Sequence, residues 1–359
     1  MHIAHVVGAR PNFMKAAPVI AALKGFSGMT QILVHTGQHY DANMSDVFFR
    51  QLGLPTPDIN LAIGSGSHAE QTAKVMLAIE QVFTEQRPDW VVVYGDINST
   101  VAATLVSAKL GIRVAHVEAG LRSFDRTMPE ELNRLVTDQL ADLLLTPSED
   151  GDANLRREGI PDERICRVGN VMIDTLVRLL PMATPPQGVE LQSRYALVTL
   201  HRPSNVDEPQ ALTKLISALV DVSRHLQVVF PIHPRTRKRL ADAHIDVQAS
   251  NCFLLLEPLG YLQFLALQQD ATIVITDSGG IQEETTFLGV PCLTMRENTE
   301  RPITVTLGTN QLIGSDTDRL RNQVQRILQG QAKRGTIPPL WDGRAAQRIA
   351  AVLVGASGR

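Results

Sequence analysis

Short β-branched and apolar runs alternate with amphipathic stretches along all 359 residues of the chain. In the first half, 2–7, 31–36, 90–94, 113–117, 142–146 and 164–168 read as buried strands. In the second half, 195–200, 228–232, 253–256, 272–276, 291–294 and 311–313 do the same. Between them the segments 14–23, 69–85, 100–110, 131–140, 209–223 and 281–288 read as helical. Near-continuous apolar strands separated by helices predict parallel sheets covered on both faces. A Pro-rich polar stretch, Pro181-Met-Ala-Thr-Pro-Pro-Gln-Gly188, reads as a linker. The expected architecture is α/β: two doubly wound, Rossmann-like domains of six strands each, 1–180 and 189–341, facing a central cleft. The last stretch, 342–359, is expected to be helical over 342–354 and to rejoin the first domain through Ala345, Ile349, Val352 and Leu353. In such sheets ligands bind beyond the carboxyl ends of the strands.

Composition narrows the classes. The length fits two domains of ordinary size. A formal charge of -3 gives no electrostatic support for nucleic acid or an anionic membrane as partner. Cys166, Cys252 and Cys292 are too widely spaced for a metal pattern or a disulfide framework. The N-terminus runs straight into a strand pattern, and no apolar run approaches a membrane span. A soluble cytoplasmic protein is the expectation.

The most informative stretch is Thr276-Asp-Ser-Gly-Gly-Ile-Gln-Glu-Glu284. Ser278, Gly279 and Gly280 follow a strand and turn into a helix, where open backbone N–H groups suit a phosphate. Glu283 and Glu284, one turn later, suit ribose hydroxyls. The alternative is an ordinary glycine turn with an acidic first turn. Arg10 and Lys15 follow the first strand, and two cations at a helix start make sense if an anion sits there; surface salt-bridging is the alternative. Asp96 and Glu118 stand just beyond strands, and Pro129 makes Glu130 a first-turn carboxylate. Each alone reads equally as turn chemistry, with Asn98 or Ser99 capping the helix after Asp96. Together they form a carboxylate set suited to acid–base work. His201, followed by Arg202, leaves the second sheet at the end that carries the Ser278 turn, and is a candidate contact to a leaving group. His233 repeats that placement, with Arg296 and Arg301 further on. No G-x-G-x-x-G follows the first strand, no P-loop is present, and no His/Cys cluster suggests zinc.

These motifs, in this order, resemble the non-hydrolysing UDP-N-acetylglucosamine 2-epimerases. The resemblance runs through Gly8-Ala-Arg10-Pro-Asn-Phe-Met-Lys15, Thr36-Gly-Gln-His-Tyr-Asp41, Gly95-Asp96 and His116-Val-Glu118-Ala-Gly-Leu-Arg122. It continues through Met128-Pro-Glu130-Glu-Leu-Asn-Arg134, Val198-Thr-Leu-His201-Arg202, Asp277-Ser-Gly-Gly-Ile-Gln-Glu-Glu284 and Thr299-Glu-Arg301-Pro. It implies a glycosyltransferase-B-like fold, a homodimer and no added cofactor or metal. By motif, Arg10, Lys15, His201, Phe264, Ser278, Gly279, Gly280, Glu284 and Arg301 would hold UDP. Asp96, Glu118, Glu130 and His201 would carry the chemistry. Many members also bind a second substrate molecule as activator; here Gln38, His39, Arg202 and His233 are the corresponding candidates. In that branch the Gln-His pair is followed by Arg and then Gln or Glu, whereas Tyr40 and Asp41 follow it here, which speaks against activation.

The implied reaction inverts C2 of UDP-N-acetylglucosamine to give UDP-N-acetylmannosamine. The C2 proton has no adjacent carbonyl to acidify it. Expulsion of UDP from C1 as that proton leaves solves the problem, giving 2-acetamidoglucal, to which UDP adds back. The alternatives are a UDP-sugar glycosyltransferase, a hydrolysing 2-epimerase, a 2-epimerase of a related UDP-diacetamido-uronic acid, and a non-catalytic nucleotide-sugar sensor.

Overall fold

The computed structural model describes residues 1–38, 51–232, 234–242, 247 and 252–356. The chain forms two compact units, Met1–Thr175 with Pro339–Arg359, and Leu176–Pro338. The first holds β1 (His2–Val7), β2 (Thr30–His35), β3 (Ile59–Asn60), β4 (Trp90–Tyr94), β5 (Arg113–Val117), β6 (Leu143–Thr146) and β7 (Ile165–Arg167). They form one parallel sheet in the order β3-β2-β1-β4-β5-β6-β7. The second unit holds β8 (Tyr195–Thr199), β9 (Gln227–Pro231), β10 (Phe253–Leu256), β11 (Ile273–Thr276), β12 (Cys292–Thr294) and β13 (Asn310–Leu312). Their order is β10-β9-β8-β11-β12-β13, again parallel throughout. Both are doubly wound α/β sheets. The strand order reverses between β1 and β4 in one and between β8 and β11 in the other, and it is there that such sheets bind ligands.

The central strands are apolar because helices cover both faces: β4 and β11 are buried at every position. The extra strand of the first sheet, β3, is a two-residue edge, too short to leave a period in the sequence. Helix starts also differ from expectation. The first helix, Arg10–Leu23, begins ahead of 14, because Pro11 suits its first turn and the Asn12 side chain satisfies the Gly8 and Ala9 N–H groups. Lys15 therefore lies in the second helical turn. In the Asn98–Leu110 helix neither Asn98 nor Ser99 is the N-cap; Ile97 is, and the Ser99 N–H donates to the Gln38 side chain instead. The last helix, Ala345–Ala356, packs on Arg10–Leu23, and Asp174 accepts from the Ala345 and Ala346 N–H groups at 3.0 and 2.7 Å.

One buried polar contact links the core of the first sheet to its functional end. His5, fully buried on β1, meets the Tyr94 hydroxyl through Nδ1 at 2.7 Å and the Gln31 carbonyl oxygen through Nε2 at 3.0 Å. Gln31 Oε1 only accepts, so the ring proton sits on Nε2 and Tyr94 donates to Nδ1. Burial lowers the His5 pKa from 6.5 to about 4, the Gln31 bond opposing. Between those values the unfolded chain binds a proton that the folded one does not, so stability falls as pH drops from 6.5 to 4. His5 alone is expected to account for about 3 kcal/mol of that loss. Urea melts at pH 7 and pH 4.5 should show a steeper loss in the native protein than in His5→Gln; equal slopes would remove the assignment.

Candidate active site

In the first unit the site grows from the reversal point of the sheet. Asn12 spans it, accepting from Gly8 N at 3.2 Å and Ala9 N at 3.1 Å, and donating to Tyr94 O at 2.7 Å. The ends of β1 and β4 are thereby locked together. Gly95 follows β4 at φ +62°, and a methyl group there would lie 2.7 Å from Lys15 Nζ. Glycine takes this backbone conformation without strain and leaves Lys15 its place. Lys15 passes over Gly95 and reaches Glu118, its Nζ 2.7 Å from Oε2, with both side chains buried.

Glu118 is the residue after β5, and its φ is +74°. A non-glycine residue in this region costs roughly 1–2 kcal/mol. The turn is held by Glu118 N donating to Leu145 O at 3.0 Å and Gly95 N donating to Val117 O at 3.0 Å. Strain maintained by surrounding bonds at a strand end is a mark of functional positioning. Asp96, half-buried, pairs with Arg134. Two acids open the Pro129–Leu140 helix, and the structure separates them. Glu131 is buried and accepts from Ser123 N, Ser123 Oγ, Phe124 N and Arg134, so it anchors the preceding loop. Burial pushes the Glu131 carboxyl up, but these donors outweigh it and leave it below the ordinary range. Glu130 is half-buried and has no hydrogen bond or ion pair among the described residues. Asp96 and Glu118 thus lie just beyond the ends of neighbouring strands, and Glu130 opens the helix whose Arg134 pairs with Asp96.

Beneath them runs a buried ionic chain. His116 on β5 meets Gly95 O through Nε2 at 2.8 Å and Asp138 Oδ1 through Nδ1 at 2.6 Å. Asp138 Oδ2 also takes Gly120 N at 3.1 Å and Arg122 Nη1 at 2.7 Å, and Arg122 continues to Glu158 in a bidentate pair. Burial raises the Asp138 pKa, but His116 and Arg122 outweigh it and hold the carboxyl below its usual value.

The second unit is built the same way. Asp277, the residue after β11, is fully buried. Its carboxylate accepts from His201 N at 3.1 Å, Arg202 N at 2.9 Å and Asn205 Nδ2 at 2.9 Å, and His201 Nδ1 lies 3.1 Å away. It ties the end of β8 to the end of β11, as Asn12 ties β1 to β4. Burial drives its pKa up, while the contacts from His201, Asn205 and Arg202 N overcome that and lower it. Ser278 is the N-cap of the Gly279–Leu288 helix but makes no side-chain cap bond, so the first-turn N–H groups stay open to an anion.

Cations gather beside that turn. A methyl at Gly279 would lie 2.6 Å from Arg301 Nη1. Arg301 pairs with Glu283 at 2.9 Å and Glu300 at 3.4 Å, and Glu300 takes Arg296 at 3.0 and 2.6 Å and Arg202 at 3.5 Å. Burial pushes the Glu300 carboxyl up, but Arg296 and Arg301 more than reverse this and hold it far below the carboxylate range. Glu284, also buried, accepts from the Tyr261 hydroxyl at 2.8 Å. The two neighbouring acids therefore face different partners. Phe264, on the Tyr261–Asp270 helix, packs half-buried against the cluster of Tyr195, Leu197 and Val229.

Of the residues singled out from sequence, Asp96, Glu118, Glu130 and Lys15 lie at the functional end of the first sheet, where Arg10 is the exposed first residue of its helix. His201, Ser278, Gly279, Gly280, Glu284 and Arg301 lie at that of the second. Arg202 joins the arginines around Glu300, and Gln38 is a buried acceptor for Ser99 N and Oγ at 3.2 and 2.7 Å. His39 and His233 lie outside the described residues. Sequence reasoning passed over Asp277, Asn12, His116 and Asp138. Asp277 carried a signal all the same: an acidic residue between a buried strand and a Ser-Gly-Gly turn. No helix among the described residues is long and apolar enough to cross a membrane, and no group of three or more His, Cys, Asp or Glu among them is placed to hold a metal.

The family described as UDP-N-acetylglucosamine 2-epimerase matches residues 21–354. A UDP-N-acetylglucosamine 2-epimerase of Methanococcus maripaludis is 42% identical over 363 residues, covering 98% of this chain and 97% of that protein. The UDP-2,3-diacetamido-2,3-dideoxy-D-glucuronate 2-epimerase of Pseudomonas aeruginosa is 41% identical over 356 residues, covering 98% and 99%. Among solved structures, the Methanocaldococcus jannaschii UDP-GlcNAc 2-epimerase in complex with UDP-GlcNAc and UDP superposes with a TM-score of 0.90 at 41% identity, covering 99% of this chain and all of that one.

Proposed function

Since the chain belongs to the UDP-N-acetylglucosamine 2-epimerase family, we propose that it interconverts UDP-N-acetylglucosamine and UDP-N-acetylmannosamine without net hydrolysis. The observation that carries this reading is the strained, buried Glu118 just beyond β5, with Asp96 just beyond the neighbouring β4 and Glu130 opening the helix whose Arg134 pairs with Asp96. A transferase needs no such set of carboxylates. One carboxylate takes the C2 proton. The C–H electron pair forms the C1–C2 double bond, and the C1–O bond breaks with its pair leaving on UDP. The open N–H groups of the Ser278 turn, with Arg301 and His201, stabilise the charge that develops on the diphosphate. UDP then adds back to C1 of 2-acetamidoglucal while a second acid protonates C2 on the opposite face. Arg10 and Lys15 assist in holding the diphosphate, Glu284 the ribose and Phe264 the uracil.

Incubation with UDP-N-acetylglucosamine in D₂O tests the scheme. Deuterium at C2 together with the manno epimer is expected. Unlabelled starting material alone would refute epimerisation, and free N-acetylmannosamine with UDP would show the hydrolysing reaction instead. A second reading, the same inversion on a UDP-diacetamido-uronic acid, is favoured by the 41% identity to the Pseudomonas enzyme. Turnover of the two sugars side by side decides between them.

Gly280 gives a sharper local test. Apart from its chain neighbours and its own helix backbone, no atom of the described residues lies within 4 Å of the methyl that alanine would add there. The protein's own packing therefore does not require glycine there, and the proposed site puts a ligand in that space. Gly280→Ala is expected to keep or raise stability, by up to about 0.5–1 kcal/mol. It should weaken UDP binding about 5- to 150-fold, the cost of about 1–3 kcal/mol typical of overpacking. Calorimetric titration with UDP alongside a thermal melt reads both; unchanged affinity would remove Gly280 from the site.

The enzyme acts in the cytoplasm as a homodimer. Leu132, Val136 and Leu140, each about 40% exposed, form an i, i+4, i+8 stripe on the Pro129–Leu140 helix that supports self-association. Light scattering should give twice the chain mass, and Val136→Glu should lower it.

A further inference from the structure

The His201 ring is 55% exposed, yet its inner nitrogen meets a carboxylate that is not exposed at all. Burying a carboxylate costs several kcal/mol unless donors surround it. His201 N, Arg202 N and Asn205 Nδ2 supply three, which is enough to clamp the loop. The Nδ1 contact at 3.1 Å is additional, and it fixes something the clamp does not: the orientation and proton placement of an otherwise mobile imidazole. An ionised carboxylate only accepts, and Asp277 is held ionised, so Nδ1 carries the hydrogen.

We infer that Asp277 is a positioning residue for His201, holding Nδ1–H inward and presenting Nε2 as the atom that meets the departing diphosphate. The inference rests on the proposed reaction for its kinetic part only. Asp277 touches no substrate in this scheme; it acts through the ring, as the buried aspartate of a Ser-His-Asp triad does. With Nδ1 fixed as donor to the Asp277 carboxylate, Nε2 can take up a second proton and donate it to the leaving oxygen. No reorientation of the ring is then needed at the moment the C1–O bond breaks.

Two measurements test this. Nitrogen NMR of the histidine-labelled free protein, with His201 assigned by His201→Gln, should show the proton on Nδ1. In Asp277→Asn, whose amide can donate to Nδ1, it should move to Nε2. A native ring protonated on Nε2 alone, or a ring indifferent to Asp277→Asn, would overturn the inference whatever the protein catalyses. The second measurement is a double-mutant cycle on kcat, with melts confirming folding. Asp277→Asn is expected to lower kcat by about 10²–10⁴ with KM within a few-fold, and to cost little further in a His201→Gln background. Equal losses in both backgrounds would mean a loop clamp and nothing more. A chain that proves inactive on UDP-N-acetylglucosamine would defeat the proposed function while leaving the NMR result to stand or fall by itself.

Discussion

Asp96→Asn and Glu118→Gln are each expected to lower kcat by about 10²–10⁴, the usual cost of one well-placed acid–base group. The two losses have different side effects. Asp96 is half-buried and pairs with Arg134, which keeps Glu131 as a second partner, so Asp96→Asn should fold with little penalty. Glu118 is buried against Lys15, and Glu118→Gln leaves that ammonium buried without its carboxylate. Breaking a buried pair by removing one partner costs about 3–5 kcal/mol. Lost turnover in Glu118→Gln could then reflect lost fold. Glu118→Asp separates the two: it keeps a negative charge for Lys15 but withdraws it by one methylene. Stability should largely recover while kcat stays at least tenfold down, because proton transfer demands placement within hydrogen-bond reach. Solvent deuterium uptake at C2, read beside the melts, checks the assignment. Near-native exchange in both Asp96→Asn and Glu118→Gln would take these residues out of the chemistry.

Lys15 gives this site a second property. Its ammonium is committed to Glu118 in the free protein. In the proposed reaction, a diphosphate drawing on that ammonium would loosen its hold on the Glu118 carboxylate. Electrostatic coupling of this kind between neighbouring groups is strong where both are shielded from water.

The positions of these groups were legible in the sequence to the extent that strand ends were. Parallel strands buried on both faces leave apolar runs, so Asp96, Glu118, His201 and Ser278 could be placed just beyond them. What could not be read was the choice between adjacent residues. Glu130 and Glu131 look alike in sequence, and so do Glu283 and Glu284. Their roles divide according to partners from elsewhere in the fold: Ser123 and Phe124 for Glu131, Arg301 for Glu283, Tyr261 for Glu284. Helix starts were misplaced for a related reason. The Gly8 and Ala9 N–H groups are met by Asn12 from inside the helix, and Ser99 N by Gln38 from another loop, so the usual cap residues were absent or idle. The two reversal points were hidden as well, since strand order cannot be read from a run of alternating elements. Once the order is known, Asn12 and Asp277 are seen to serve one purpose in two sheets, each pinning the strands that diverge.

Asp138→Asn is expected to lower stability by about 3–5 kcal/mol. The carboxylate is fully buried and receives His116 Nδ1, Arg122 Nη1 and Gly120 N. Asparagine keeps the volume but turns one acceptor into a donor that faces other donors, and it removes the charge opposite the buried Arg122 guanidinium. Arg122 retains Glu158, which limits the damage on that side. His116 has no such reserve: its other nitrogen meets only the Gly95 carbonyl. For a unit of this size the melting midpoint should fall by roughly 10 °C or more. Glu158→Gln removes a carboxylate that is 23% exposed and should cost much less. That order, Asp138 well above Glu158, is the discriminating result in a thermal or urea melt, and its reversal would mean the ionic chain is held together from its outer end. Asp138→Asn should also reduce kcat in whatever protein remains folded. His116 props the carbonyl of Gly95, and a shift there moves both the floor under Lys15 and the backbone that carries Asp96. A misplacement of about 1 Å at a reacting group can cost a hundredfold in rate.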